Sequence, residues 1–323
     1  MSGIRPRTQV LYIAGTHRSG STIIGNVLGE IDGFVSGGEI NMVWYQVAEQ
    51  GLCGCGRRID ECGYWQPILA SAQMSGDVTT NLKMHRALLD EAPIRAWRLL
   101  WRPQSKLKRW VALPLVRQRG EQVAWLYDAL QETTGCRWIV DGSKDPAYGY
   151  LLAQQPNVDL HVLHLIRDPR GTIFSEEQTR NTRMRLPRTL AIATGCVHWL
   201  LWNRLIARLW GGEPERYLRL RYETFAEEPV KALRAILAFV GDDPLNQPPL
   251  EEGGAVPGLD LGVHHTVAGN DNRLRQGRVA IMPDERWRTG FSRRIQWLIL
   301  ALTWPDMRRY RNGVDNHTSG VTP

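Results

Sequence analysis

The chain has 323 residues, 43% of them hydrophobic, and a net charge of +7 at pH 7. That is enough for one large α/β domain with a sizeable core. Five cysteines exclude a disulfide scaffold. A basic surplus suits anionic ligands, nucleic acid or an anionic membrane surface, but no aromatic-rich nucleic-acid signature and no long basic tract is present, so a nucleic-acid partner is not expected.

Val10 to Gly15 reads as an apolar strand that opens the fold. It leaves no room for a signal peptide, and the expected location is cytoplasmic. A small-residue loop follows, then a helical pattern from Ser21 through Ile23, Ile24, Val27 and Leu28. Phe34 to Ser36 reads as a short strand and Glu39 as the start of a helix. Residues 51–63 form a glycine- and cysteine-rich loop carrying Cys53, Cys55 and Cys62. The C-x-C spacing lacks an obvious fourth ligand, so the expectation is a glycine-rich turn with packed or free thiols and no metal.

Residues 64–135 read as helical, with a basic Trp-rich section at 94–119 (Trp97, Trp101, Trp110). This is either a membrane-facing or acceptor-binding cap, or helices packed on the core with snorkelling arginines, and the second reading is preferred. The α/β rhythm then resumes. Trp138–Asp141 is a strand, Pro146–Gln155 a helix, and Leu160–Arg167 a buried strand ending in Asp168-Pro169, a helix-entry pair. Leu190–Trp210 is a long helix, Arg216–Arg221 a strand, and Val230–Val240 a helix closed by Gly241. Residues 242–282 read as a loop-rich closing segment and Asp284–Arg309 as helical. The best apolar run, Trp297–Leu302, is too short to span a bilayer. Strands alternating with helices predict a parallel sheet covered on both faces; the length alone admits one large domain or two small ones, and the chain is read as a single domain over 1–323.

Two segments carry chemistry. The first is Gly15-Thr16-His17-Arg18-Ser19-Gly20-Ser21-Thr22. Strand, glycine loop and helix start together present backbone N–H groups and a helix dipole to an anion. Gly15, Gly20 and Thr22 match the nucleotide phosphate loop, but Ser21 stands at the lysine position and the cation lies upstream at Arg18. The second is Ile166-Arg167-Asp168-Pro169-Arg170 followed by Ser175, where an arginine at a strand end and a serine about two turns on can share a phosphate.

Together these segments resemble the sulfotransferase family. Ser36-Gly37-Gly38-Glu39, Asp141-Gly142-Ser143-Lys144, Leu220-Arg221-Tyr222-Glu223 and Gly269–Arg273 with Asp284–Trp287 extend the likeness. It implies a P-loop-like three-layer fold with a helical acceptor-side insertion at 64–135. It also implies 3′-phosphoadenosine 5′-phosphosulfate as sulfate donor, without a metal. Ser19 to Thr22 and Arg18 would then take the 5′-phosphosulfate. Arg167 and Ser175 would take the 3′-phosphate, with Arg273 or Arg278 closing over it. The resemblance makes Glu39 the general base and Lys144 the stabiliser of the transferring group, the other role for Lys144 being an ion pair with Asp141 or Asp145. His17 is the next candidate base, His164 is read as core, and His264 and His265 as surface. The acceptor is a carbohydrate, lipid or small metabolite. A degenerate P-loop kinase using Asp141 for Mg²⁺, and a non-catalytic binder of nucleotide or sulfated glycan, are the competing readings.

Overall fold

The computed structural model describes residues 6–71, 103–179, 187–242, 258–311 and 314–315. Its centre is a six-stranded sheet: β1 (Thr8–Gly15), β2 (Phe34–Gly38), β3 (Trp138–Lys144), β4 (Val158–Ile166), β5 (Tyr217–Arg221) and β8 (Val314–Asp315), in the order β2-β3-β1-β4-β5-β8. The first five run parallel, and the two-residue β8 adds antiparallel to β5. A parallel sheet needs cover on both faces, which is why β1 and β4 are nearly unbroken apolar runs.

Successive side chains of β1 point to opposite faces. Val10 and Tyr12 enter one core, Leu11 and Ile13 the other. The Tyr12 face packs on α2 (Val43–Ala48), α3 (Trp65–Ser71), α5 (Pro114–Thr134) and α6 (Pro146–Ala153). The Leu11 face packs on α1 (Ser21–Gly29), α9 (Tyr222–Glu227) and α10 (Pro229–Phe239). The helix following β1 thus lies on one face and the helix following β3 on the other. Where neighbouring strands send their connections to opposite faces, a crevice opens at their carboxyl ends.

The element expectations hold closely. Gly241, at φ 71, closes α10, and the Asp242 N–H reaches back to the Leu237 carbonyl at 3.0 Å. Asp145 caps α6, accepting from the N–H groups of Ala147 at 2.7 Å and Tyr148 at 3.0 Å. Three expectations need correction. The closing segment holds a hairpin, β6 (Gly258–Leu261) paired antiparallel with β7 (Gly277–Ala280); four-residue strands are too short to show alternation. The C-terminal helical stretch is two helices, α11 (Trp287–Gly290) and α12 (Arg293–Arg309), the second capped by Ser292. Among the described residues one helix, α8 (Arg188–Trp210), is long and apolar enough by length and composition to cross a membrane. Its Ile192, Trp199 and Ile206 nevertheless fill three separate core clusters.

Of the Trp-rich section, α4 (Pro103–Val111) and the start of α5 are described, and Trp110 is buried, as helices packed on the core require. Trp97 and Trp101 lie outside the described residues.

Candidate functional site

The crevice is a polar cavity of about 680 Å³ at the carboxyl ends of the strands. Its floor is the loop from β1 to α1. Gly20 sits at φ 97, and a Cβ there would lie 2.4 Å from the Tyr222 ring, so only glycine fits. No side chain caps α1, so the N–H groups of its first turn are left to a ligand. Among the described residues, the buried hydroxyls of Thr16 and Ser19 have no hydrogen-bond partner. An orphaned buried hydroxyl costs about 1–3 kcal/mol, and a bound oxyanion is one group that would satisfy it.

Arg18 and Lys144 project into this cavity from left-handed backbone, φ 63 and φ 66. The Arg18 Nε donates to Ser175 Oγ at 2.9 Å, which ties the two anion-binding segments together. Arg167 is buried beside them. It donates to the Arg18 carbonyl at 3.0 Å and to Asp284 Oδ2 at 3.0 Å, and its guanidinium lies 4.7 Å over the Tyr222 ring. Arg286 and Arg167 hold the Asp284 carboxyl well below the usual carboxylate range. Five cationic side chains line the cavity (Arg18, Lys144, Arg167, Arg275, Arg286) against the carboxylates of Glu39 and Asp284. The balance selects an anion.

Glu39 and Lys144, 105 residues apart, meet on the opposite wall. Lys144 Nζ donates to Glu39 Oε1 at 2.6 Å and to the Gly142 carbonyl at 2.8 Å. Lys144 therefore pairs with Glu39 rather than with Asp141 or Asp145. Asp141 is fully buried and is bonded by Tyr127 and Ser143. Burial outweighs those bonds and raises its pKa to about 6. It is not among the residues that line the cavity, so the aspartate on which the kinase reading relied lies outside it. Its role is positional: Asp141 accepts from Ile40 N–H at 3.4 Å and Ser143 Oγ from Asn41 N–H at 3.0 Å, fixing the chain just after Glu39.

His17 lines the cavity with an exposed edge. Burial of the ring lowers its pKa, with repulsion from Lys144 second. His164 is core, as expected, bonded to Tyr217 and Asn203, and burial lowers its pKa to about 3.

The structure thus gathers His17, Arg18, Gly20, Ser21, Thr22, Glu39, Lys144, Arg167 and Ser175 around one cavity, with Gly15, Thr16 and Ser19 in the loop beneath. Arg273 and Arg278 are not among its lining residues. Arg273 donates instead to the Leu52 carbonyl at 2.9 Å, and Arg278 sits exposed on the β6–β7 hairpin. Arg275 and Arg286 line the cavity. Asn270 and Tyr222 also line it; both lie in segments the sequence marks, but their direction depends on the packing of the closing hairpin. His264 is corrected from surface to buried, beside Glu30 at 3.0 Å.

A model of the sulfotransferase family matches residues 11–243. Over 161 residues the chain is 25% identical to carbohydrate sulfotransferase 5 of Mus musculus, covering 43% of this chain and 38% of that protein. The chain thus spans well under half the length of that curated relative. The sulfotransferase domain from the Synechococcus PCC 7002 olefin synthase superposes with a TM-score of 0.51 at 22% identity, covering 94% of this chain and 96% of that one. The sulfotransferase domain from the curacin biosynthetic pathway gives 0.50 at 18% identity, covering 93% and 98%. At these identities the two structures establish a shared fold.

Proposed function

The chain belongs to the sulfotransferase family, and from that premise we propose that it transfers the sulfuryl group of 3′-phosphoadenosine 5′-phosphosulfate to a hydroxyl or amine of a carbohydrate, lipid or small-metabolite acceptor. One observation carries the reading: the Arg18–Ser175 contact joins the β1 loop to the Arg167 segment, making one cationic cavity floored by that loop and walled by Glu39 and Lys144. The residues present fit a donor with two separate anionic ends. Ser19 to Thr22 and Arg18 would hold the 5′ end, and Arg167 and Ser175 the 3′-phosphate. Arg275 and Arg286 are placed to close over it.

When bound, the donor supplies a sulfuryl group on a good leaving group. The chain's residues supply position and charge, the two effects that dominate in-line transfers of this kind. Arg18 is fixed by Ser175, so its charge is already oriented where negative charge would build on the leaving oxygen. Lys144 is fixed between Glu39 and the Gly142 carbonyl, ready to neutralise charge on transferring oxygens. Glu39 Oε1 is taken by Lys144, and Oε2 is the oxygen that accepts the acceptor's proton.

The test is a thermal-shift titration of the full chain with 3′-phosphoadenosine 5′-phosphate, 5′-AMP and Mg·ATP, followed by sulfate transfer across an acceptor panel. A ligand that binds only the native state raises Tm by mass action. Stabilisation by the bisphosphate, with transfer to one acceptor class, is the expected result. Stabilisation by Mg·ATP alone overturns the reading in favour of a nucleotide kinase.

A further inference from the structure

The cysteine-rich loop does gain a fourth ligand, from the far end of the chain. Cys53, Cys55 and Cys62 converge on His265, and their four ligand atoms all lie within 4.8 Å of one another. Cys62 Sγ lies 3.7 Å from both Cys53 Sγ and Cys55 Sγ. His265 Nδ1 lies 3.3 Å from Cys62 Sγ and 3.6 Å from Cys53 Sγ. These spacings fit a tetrahedron. With Zn–S near 2.3 Å and Zn–N near 2.0–2.1 Å, the S···S edge is about 3.8 Å and the S···N edge about 3.6 Å. They do not fit a disulfide, whose sulfurs sit about 2.05 Å apart; all five cysteines are free.

We propose that Cys53, Cys55, Cys62 and His265 form a structural zinc site. The loop is shaped for it. The Cys53 N–H bonds the Arg57 carbonyl at 2.7 Å, and the Gly56 N–H bonds the Cys53 carbonyl at 2.9 Å, with Gly56 at φ 83. This tight turn brings backbone N–H groups close to the Cys53 and Cys55 sulfurs. The His265 ring is oriented by stacking on Tyr64, at 4.4 Å and 3° between planes, and its carbonyl accepts from Trp65 Nε1 at 2.7 Å. Gly54 lets the two strands of chain touch: a Cβ there would lie 2.4 Å from the His264 carbonyl oxygen.

Three thiolates and one imidazole suit the borderline-soft Zn²⁺ better than oxygen-seeking Mg²⁺ or Ca²⁺. On binding, three S–H bonds give way to S–Zn bonds and the protons pass to solvent. Four protein ligands leave no open position, so the role is structural. Cys53 and Cys62 are buried, whereas Cys55 and His265 keep solvent-facing edges through which the ion can enter.

The site would lock the closing segment to the wall that carries Glu39. Just beyond His265, the Val267 N–H bonds the Gly37 carbonyl at 2.9 Å, and the Glu39 N–H bonds the Ala268 carbonyl at 3.4 Å. The staple therefore spans 203 residues of sequence to hold one side of the cavity.

The test uses the full chain produced with zinc, assayed by elemental analysis and by cobalt substitution. About one zinc per chain is expected, with the visible d–d and near-ultraviolet thiolate bands of tetrahedral cobalt. Cys62→Ser and His265→Ala should lose the metal and Cys196→Ser should retain it. Stripping the wild type with a chelator should lower Tm, and Zn²⁺ but not Mg²⁺ should restore it. Should the variants fail to fold, the wild-type stoichiometry, cobalt spectrum and chelator response decide. A zinc-supplied wild type with no bound metal overturns the proposal. So does a disulfide among these cysteines in mass mapping, or full zinc retention in folded Cys62→Ser and His265→Ala.

Discussion

Glu39→Gln separates the chemical role of this carboxylate from its structural one, because the two losses differ in size. The Lys144 and Glu39 side chains are 7% and 20% exposed, 2.6 Å apart. A charge-assisted hydrogen bond in such a place contributes about 1.5–3 kcal/mol, and a neutral one about 1 kcal/mol. Glutamine keeps an acceptor oxygen, so the fold loses about 1–2 kcal/mol, a drop in Tm of roughly 1–3 °C for a chain of 323 residues. A domain of ordinary stability stays folded at 25 °C under that loss. Removing a general base costs about 10²–10⁴ in kcat. The assay is initial-rate sulfate transfer to a responsive acceptor, with thermal unfolding and bisphosphate affinity measured on the same samples. The expected variant binds bisphosphate like the wild type, melts slightly earlier and turns over at least about 100-fold more slowly. If it retains more than about a tenth of the wild-type kcat, or if the loss lies entirely in donor affinity, Glu39 is not the base. His17→Asn then becomes the informative variant, since His17 lines the same cavity.

Arg18→Ala should weaken bisphosphate binding about 10–100-fold and Ser175→Ala about 3–10-fold by calorimetry, charged and neutral hydrogen bonds differing by that much; equal effects would contradict the assigned roles. Gly20→Ala should cost about 2–5 kcal/mol in urea unfolding, from left-handed backbone and from crowding the Tyr222 ring; wild-type stability would show that the loop relaxes freely. His164 titrates near 3 in the fold and near 6.5 when unfolded. The unfolded state then binds the extra proton, so this group's stability is present above about pH 6.5 and is lost as pH falls toward 3, by about 2–5 kcal/mol. His164→Phe should be less stable at pH 7 but should lack that slope; an unchanged slope would place the acid sensitivity elsewhere.

Much of this fold was legible because its signals are local. β1 and β4 show their burial as continuous apolar runs, and Gly241 marks a helix end that only a left-handed residue can close. The anion loop was legible for the same reason, since every part lies between Gly15 and Thr22. Glu39 and Lys144 were identified singly by resemblance, but their pairing is tertiary, produced by β2 and β3 lying side by side. The choice of Arg275 and Arg286 over Arg273 and Arg278 was not legible. In a short hairpin followed by an irregular turn, no repeating pattern fixes which side chains face inward. His265 was illegible for a stronger reason: nothing near Cys62 in sequence foretells a ligand 203 residues away.

The backbone also shows how the site is held together. Arg18, Gln50 and Lys144 are the non-glycine residues with left-handed φ among the described residues. Each such position costs about 1 kcal/mol or more and persists only where surrounding contacts over-determine it. Those contacts are visible for the two cations. Arg18 is held by Arg167 at its carbonyl and by Ser175 at its guanidinium; Lys144 is held by Gly142 and Glu39. The restraints on each cation come partly from the other groups assigned to donor or acceptor. The charges are therefore fixed before any ligand arrives, which is the condition under which electrostatic stabilisation costs no reorganisation during transfer. Gln50, the third strained residue, opens the loop that carries Cys53, Cys55 and Cys62. A metal tying that loop to His265 would restrain it from the far side, as Arg167 and Glu39 restrain the other two. The strain at 18 and 144 is thus retained where it aims a charge, and the stability it costs is recovered from the two cores that flank the sheet.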